Sequence, residues 1–212
     1  MARGRLITIE GIDGAGKTTL AAALAEALRA RGIDLLALRE PGGVALAEAI
    51  RALVTDAAQS VDPRTEALLF AAARAQLVAE TVEPALAAGR WVLLDRFVDS
   101  SLAYQGAGRE LGLEEVAAIN AFATAGLRPY RTLLLAVDVA TGRARRGQRA
   151  GAGDRLERED EAFFERIDAG YRTVAAAEPQ RVRVLDASVE PDELLAAALD
   201  ALADLFRGGR AA

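Results

Sequence analysis

Eight residues near the start, Gly11-Ile12-Asp13-Gly14-Ala15-Gly16-Lys17-Thr18, carry the clearest chemistry in the chain. They match the pattern G-x-x-x-x-G-K-[ST]. In that pattern glycines let the backbone wrap around phosphate oxygens, and successive N–H groups form an anion nest. A helix opening at Lys17 and Thr18, and running on through Thr19, adds its positive dipole end. In such a loop the lysine reaches the β- and γ-phosphates of a nucleotide such as ATP, while the Thr18 hydroxyl binds Mg²⁺. Lys17 is the only lysine in a chain that is otherwise arginine-biased.

A second signal is Trp91-Val92-Leu93-Leu94-Asp95, an apolar run ending in an acid. Many buried strands end in aspartate, so the run says little alone. With a phosphate loop upstream, Asp95 is expected beside Thr18 as the second metal-side residue.

The elements that must position these groups alternate between short β-like runs and longer helical ones. Strands are expected at Leu6 to Ile9, Ile33 to Leu38, Trp91 to Leu94, Leu133 to Val137 and Val182 to Leu185. Helices are expected at Lys17 to Arg31, Ala45 to Val54, Glu114 to Thr124 and Glu159 to Ala176, with a last one from Pro191 to near Phe206. Another opens at Asp62-Pro63 and runs through Glu80, with Pro84 kinking or ending it. Strands without polar alternation, separated by helices, indicate an α/β fold with a parallel sheet covered on both faces. The stretch Arg143 to Asp154 reads as a loop too polar and glycine-rich to pack, the usual signature of a functional lid or a disordered segment.

Composition narrows the chemistry. The 212 residues suit one domain with a full core. There is no cysteine, hence no disulfide or thiolate metal site, and no histidine, which removes the commonest general base. No run of about 18 apolar residues suggests a membrane span. The first apolar run ends at Glu10, too soon for a signal peptide, so a cytoplasmic protein is expected. A net charge of −5 argues against a general nucleic-acid binder. Base-reading N-K-x-D signatures need a second lysine, so a standard GTPase is excluded. Partition ATPases carry a second lysine within the loop, where this chain has Ile12 to Ala15.

Five blocks in register make the chain resemble the thymidylate kinases: Glu10 to Thr19; Arg39-Glu40-Pro41-Gly42-Gly43; Leu69 to Gln76; Asp95 to Gly106, reading DRFVDSSLAYQG; and Asp154-Arg155-Leu156-Glu157. The resemblance implies a P-loop nucleoside monophosphate kinase-like fold with a five-stranded parallel sheet. It further implies transfer of the ATP γ-phosphoryl group to dTMP, with Mg²⁺, in a homodimer. By the same resemblance Phe70 stacks on thymine, though it could be a core phenylalanine. Arg74 donates to the base, unless it is a solvated helix arginine. Arg96 clamps the dTMP phosphate with Arg39 and Arg51 as helpers, the last resting on spacing alone. Asp13 faces the sugar hydroxyl and nearby phosphates, and Ser101, Tyr104 and Gln105 wall the base and deoxyribose.

The loop interior lacks a basic residue, which resembles the mostly bacterial subclass whose lid, about residues 142–157, supplies arginines to the phosphates. The candidates are Arg143, Arg145, Arg146, Arg149 and Arg155, with Arg149 and Arg155 taken as catalytic. The nucleophile would be an ionised phosphate oxygen, so the missing histidine is no obstacle. Two alternatives remain at this point: a kinase of another nucleoside monophosphate or of a deoxynucleoside, and a nucleotide-dependent switch that transfers nothing.

Overall fold

The computed structural model describes residues 2–147 and 154–207. Five strands form one parallel sheet in the order β2-β3-β1-β4-β5. They are β1 (Leu6–Glu10), β2 (Leu35–Arg39), β3 (Trp91–Asp95), β4 (Arg131–Ala136) and β5 (Val182–Asp186). β1 is buried along its whole length and β4 nearly so, whereas the edge strands β2 and β5 are partly exposed. That difference follows from position, because only an inner strand has neighbours on both sides. All five expected strands are present, with no end shifted by more than two residues.

Helices α1 (Lys17–Ala30), α2 (Ala45–Thr55) and α3 (Pro63–Leu77) fall where the periodicity puts them. Asp62 caps α3, its carboxylate accepting from the backbone N–H groups of Arg64 and Thr65. Beyond α3 the coil widens into a π turn at Val78–Val82 and resumes as α4 (Glu83–Ala87). Pro84 therefore neither ends the helix nor kinks a regular one. The wider turn accommodates a ring that would strike the carbonyl one regular turn back.

After β3 the chain forms α5 (Val98–Ser101), running directly into a π segment, Leu102–Gly108. The periodicity gives no warning of this helix. α6 (Leu113–Ala123) follows, then α7 (Val139–Gly147), α8 (Glu161–Ala177), α9 (Pro191–Ala201) and α10 (Ala203–Arg207). α7 corrects the expectation of a loop from Arg143. Asp138 caps its first turn, accepting from the Thr141 backbone N–H at 2.7 Å, and Arg143 to Gly147 continue the helix. The final expected helix is broken at Leu202 into α9 and α10.

Successive side chains of a strand point to opposite faces, and β3 shows where each face packs. Leu93 joins a cluster built on α1, α8 and α9, while Val92 and Leu94 join one built on α2, α3 and α4. Helices thus cover both faces, and the carboxyl ends of the inner strands converge on one cleft.

Candidate active site

The phosphate loop leaves β1 at Gly11 and enters α1 through Gly16, whose φ of +94° only glycine adopts freely. At Gly14 a Cβ would lie 2.0 Å from the Gly142 carbonyl oxygen, so the bare backbone lets α7 press against the loop. Lys17 Nζ donates to the carbonyls of Ile12 (2.8 Å) and Gly11 (3.1 Å), and lies 3.8 Å from Asp13 Oδ1. Burial, and next the neighbouring Arg96 charge, lower the Lys17 pKa to about 8. Thr18 Oγ1 donates to Asp95 Oδ2 at 2.9 Å, which unites the two expected metal-side residues. A hydroxyl and a carboxylate are hard oxygen donors. So few protein ligands beside a phosphate nest suit a Mg²⁺ that takes its other ligands from phosphate and water.

Arg96 follows β3 and has φ +74°, a left-handed backbone costing a non-glycine residue on the order of 1–3 kcal/mol. Two bonds pin that turn. The Arg96 N–H donates to Ile9 O (2.9 Å), and the Phe97 N–H donates to the Glu10 carboxylate (2.7 Å). The guanidinium is thereby aimed across the loop. Nη2 donates to Asp13 Oδ1 (2.6 Å) and Tyr104 OH (3.0 Å), and Nη1 to Gly11 O (3.1 Å), Ser100 Oγ (2.9 Å) and Tyr171 OH (3.2 Å). Burial pushes the Asp13 carboxyl upward. Arg96, Lys17 and the Tyr104 hydroxyl outweigh it and hold Asp13 well below the usual carboxylate range. Burial, then the charge of Asp99, push Glu10 the other way, up to about 7.

The opposite wall comes from α3, the last residue of α5 and the π segment. Phe70 and Arg74 are one turn apart on α3, while Ser101, Tyr104 and Gln105 share a face at three- and four-residue spacing. Arg74 is no solvated residue. It is buried, its Nε donates to Glu40 at 2.7 Å, Nη1 to Ser101 (2.9 Å) and Asn120, and Nη2 to Phe97 O (2.9 Å). Phe70 packs against both hydrophobic clusters and also lines the cleft, so the two readings of it are compatible. Arg39 and Arg51 line the cleft too, each donating to Pro41 O, with Arg39 also paired to Glu48 at 2.9 Å.

The lid arginines are arranged otherwise than the sequence suggests. Arg155 does not line the cleft: its Nη2 donates to Glu66 (2.7 Å) and its Nε to Val54 O (3.0 Å), while its neighbours Asp154, Leu156 and Glu157 do line it. Arg145 donates to Ala187 O at 2.8 Å, Arg146 lies over the Phe164 ring, and Arg143 is 3.6 Å from Glu161. Arg149 lies outside the described residues.

Several residues around the site escape sequence reasoning. Glu10 sits in a matched block, and an acid closing an apolar strand was a usable signal. Glu66 looks like an ordinary first-turn acid of α3, yet it is wholly buried. Tyr171 and Asn120 come from α8 and α6, and nothing local marks them.

A parallel sheet with this strand order, a phosphate loop after β1 and an arginine-lined acceptor cleft define a P-loop kinase of the nucleoside monophosphate class. The family model "Thymidylate kinase" matches residues 9–197. The chain is 51% identical over 205 residues to a thymidylate kinase of Rhizorhabdus wittichii, covering 96% of this chain and 99% of that one. It is 50% identical over 194 residues to one of Deinococcus radiodurans, covering 92% and 94%. The crystal structure of the Ehrlichia chaffeensis thymidylate kinase superposes with TM-score 0.77 at 29% identity, covering 94% of this chain and 99% of that one. The chain belongs to the thymidylate kinase family.

Proposed function

We propose that the chain transfers the γ-phosphoryl group of ATP to dTMP, giving dTDP and ADP, with Arg96 at the junction of the two substrates. The observation that carries this is the meeting of Arg96 with Asp13 at the mouth of the phosphate loop, on the side that faces Phe70, Arg74 and Gln105. A dTMP whose base lies against that wall would present its phosphate to Arg96, Arg39 and Arg51. An oxygen of that phosphate attacks the γ-phosphorus as the bond to the β–γ bridging oxygen breaks and ADP leaves. No proton need be removed first, so alignment and charge neutralisation are what the protein contributes. Lys17 and the loop amides would hold the donor phosphates, and a Tyr104 packed beneath the deoxyribose would disfavour a 2′-hydroxyl.

Thr18 and Asp95 would hold Mg²⁺, which would neutralise charge on the ATP phosphates. The cytoplasm, where ATP and nucleotide pools lie, is the proposed location; among the described residues no helix is long and apolar enough to cross a membrane. Leu46, Leu53, Leu68 and Phe122 are exposed on α2, α3 and α6, helices that pack on one another, which supports a homodimer through this side. Incubation with ATP and, separately, dTMP, dUMP, dCMP and thymidine tests the activity. dTMP should be the preferred acceptor, and preference for any other sinks the narrow reading.

A further inference from the structure

Gln105 is almost wholly buried, and its Nε2 lies 2.9 Å from Glu66 Oε1. Glu66 is fully enclosed. Its carboxylate also receives Arg109 through Nε (3.3 Å) and Nη2 (3.1 Å), and Arg155 through Nη2 (2.7 Å). A carboxylate held by two guanidiniums has only acceptor atoms to offer, so Gln105 can meet it only through its NH₂ group. The reversed carboxamide would set oxygen against oxygen in a dry interior, where an unmade bond is expensive. The orientation of this amide is therefore dictated by its partner. The carboxamide oxygen is left as the end that meets no donor among the described residues, on a side chain that lines the cleft.

Arg74 completes the pattern on the same wall. Four bonds engage its N–H groups, on Glu40, Ser101, Asn120 and Phe97 O, and a guanidinium has five to give. Between them, Gln105 and Arg74 thus offer one fixed acceptor and one remaining donor. A 4-oxo pyrimidine matches this with a donor at N3 and an acceptor at O4. A 4-amino pyrimidine presents the reverse, an acceptor at N3 and a donor at C4.

We propose that Glu66 is the positioning residue that makes the cleft reject 4-amino pyrimidine nucleotides, by locking the Gln105 carboxamide with its oxygen toward the base. This rests on the proposed function, since it needs the acceptor base against that wall. Discrimination here comes less from attraction to the right base than from a barrier to turning Gln105 over for the wrong one. In Glu66→Gln the new amide can face Gln105 through either oxygen or nitrogen, and both orientations become available.

The test measures kcat/KM for dTMP, dUMP and dCMP in the wild type, in Glu66→Gln, and in Glu66→Asp, which keeps a negative charge for the two arginines but withdraws it from Gln105. Selectivity for dTMP over dCMP should fall at least about tenfold in both variants, a loss of the order expected for one mispaired polar group. The dUMP to dTMP ratio should stay within about twofold, because both bases are 4-oxo. A merely structural role would lower all three acceptors together, and that outcome overturns the proposal. So does a wild type that takes dCMP as well as dTMP. If neither variant folds, nuclear magnetic resonance of the wild type decides. The Gln105 side-chain NH₂ should be protected from exchange both free and with dTMP bound. An NH₂ protected only when dTMP binds faces the base and overturns the proposal. Failure of the wild type to phosphorylate dTMP would instead overturn the proposed function, and the same assay reads it.

Discussion

Asp13 and Arg96, far apart in sequence, join their side chains at 2.6 Å across the mouth of the phosphate loop. The pair sets the internal charge balance of the site, because Asp13 also faces Lys17 at 3.8 Å. Two cations that bound phosphates would need are thus held, in the free protein, by one carboxylate.

Arg96→Lys should therefore be severe although it keeps the charge. An ammonium cannot span Asp13, Gly11 O and the hydroxyls of Ser100, Tyr104 and Tyr171 at once. We expect kcat to drop by about 10² or more, with ATP affinity changed by less than about threefold. Steady-state kinetics and ATP titration check this, and a kcat within about fivefold of wild type would contradict it.

Lys17 links ATP binding to pH. Its pKa of about 8 in the free protein lies below the usual lysine value because burial and Arg96 disfavour the charge. Bound phosphates would restore the proton. ATP binding should then take up a proton above about pH 8, and affinity should fall by up to about tenfold per further pH unit. Calorimetry in two buffers of different ionisation heat measures the uptake. Lys17→Arg should nearly abolish turnover, since a planar guanidinium fits the nest poorly.

Glu10 makes a stability prediction. Its pKa, pushed up to about 7 by burial and Asp99, lies above the unfolded value near 4.5. The folded protein holds the extra proton between those values. The associated stability is full below about pH 4.5 and is lost as pH rises through 7, a change on the order of 3 kcal/mol. Glu10→Gln has no such titration, so its melting temperature relative to wild type should rise steadily from about pH 5 to 8. A constant difference across that range would refute the assignment.

Much of this site was legible in the sequence, for physical reasons. The phosphate loop is read locally because glycine spacing, lysine and threonine act through neighbouring backbone. The strands were legible because fully buried runs tolerate little but apolar residues. Gln105 and Arg74 line the cleft, but their orientation was not legible, because it depends on Glu66, Glu40 and Asn120 brought in by tertiary packing. The lid misled because an arginine and glycine count cannot distinguish a solvated loop from a helix whose arginines already have partners at Glu161, Ala187 and Phe164. The helix after β3 was hidden because a π segment breaks the 3.6-residue period.

Phe122, 92% exposed on α6, lies on the side proposed above as the dimer face. Phe122→Glu should weaken self-association, read as a lower mass at micromolar concentration by light scattering. Retention of a dimer at the wild-type dissociation constant would remove α6 from the interface.

Tracing the transferred group tests phosphoryl transfer from ATP to dTMP. With ATP labelled at the γ-phosphate and unlabelled dTMP, the label should appear in dTDP with wild-type protein and be nearly absent from it with Lys17→Arg. Label released as inorganic phosphate at the same rate with or without dTMP, or no label transferred despite ATP binding, would contradict it.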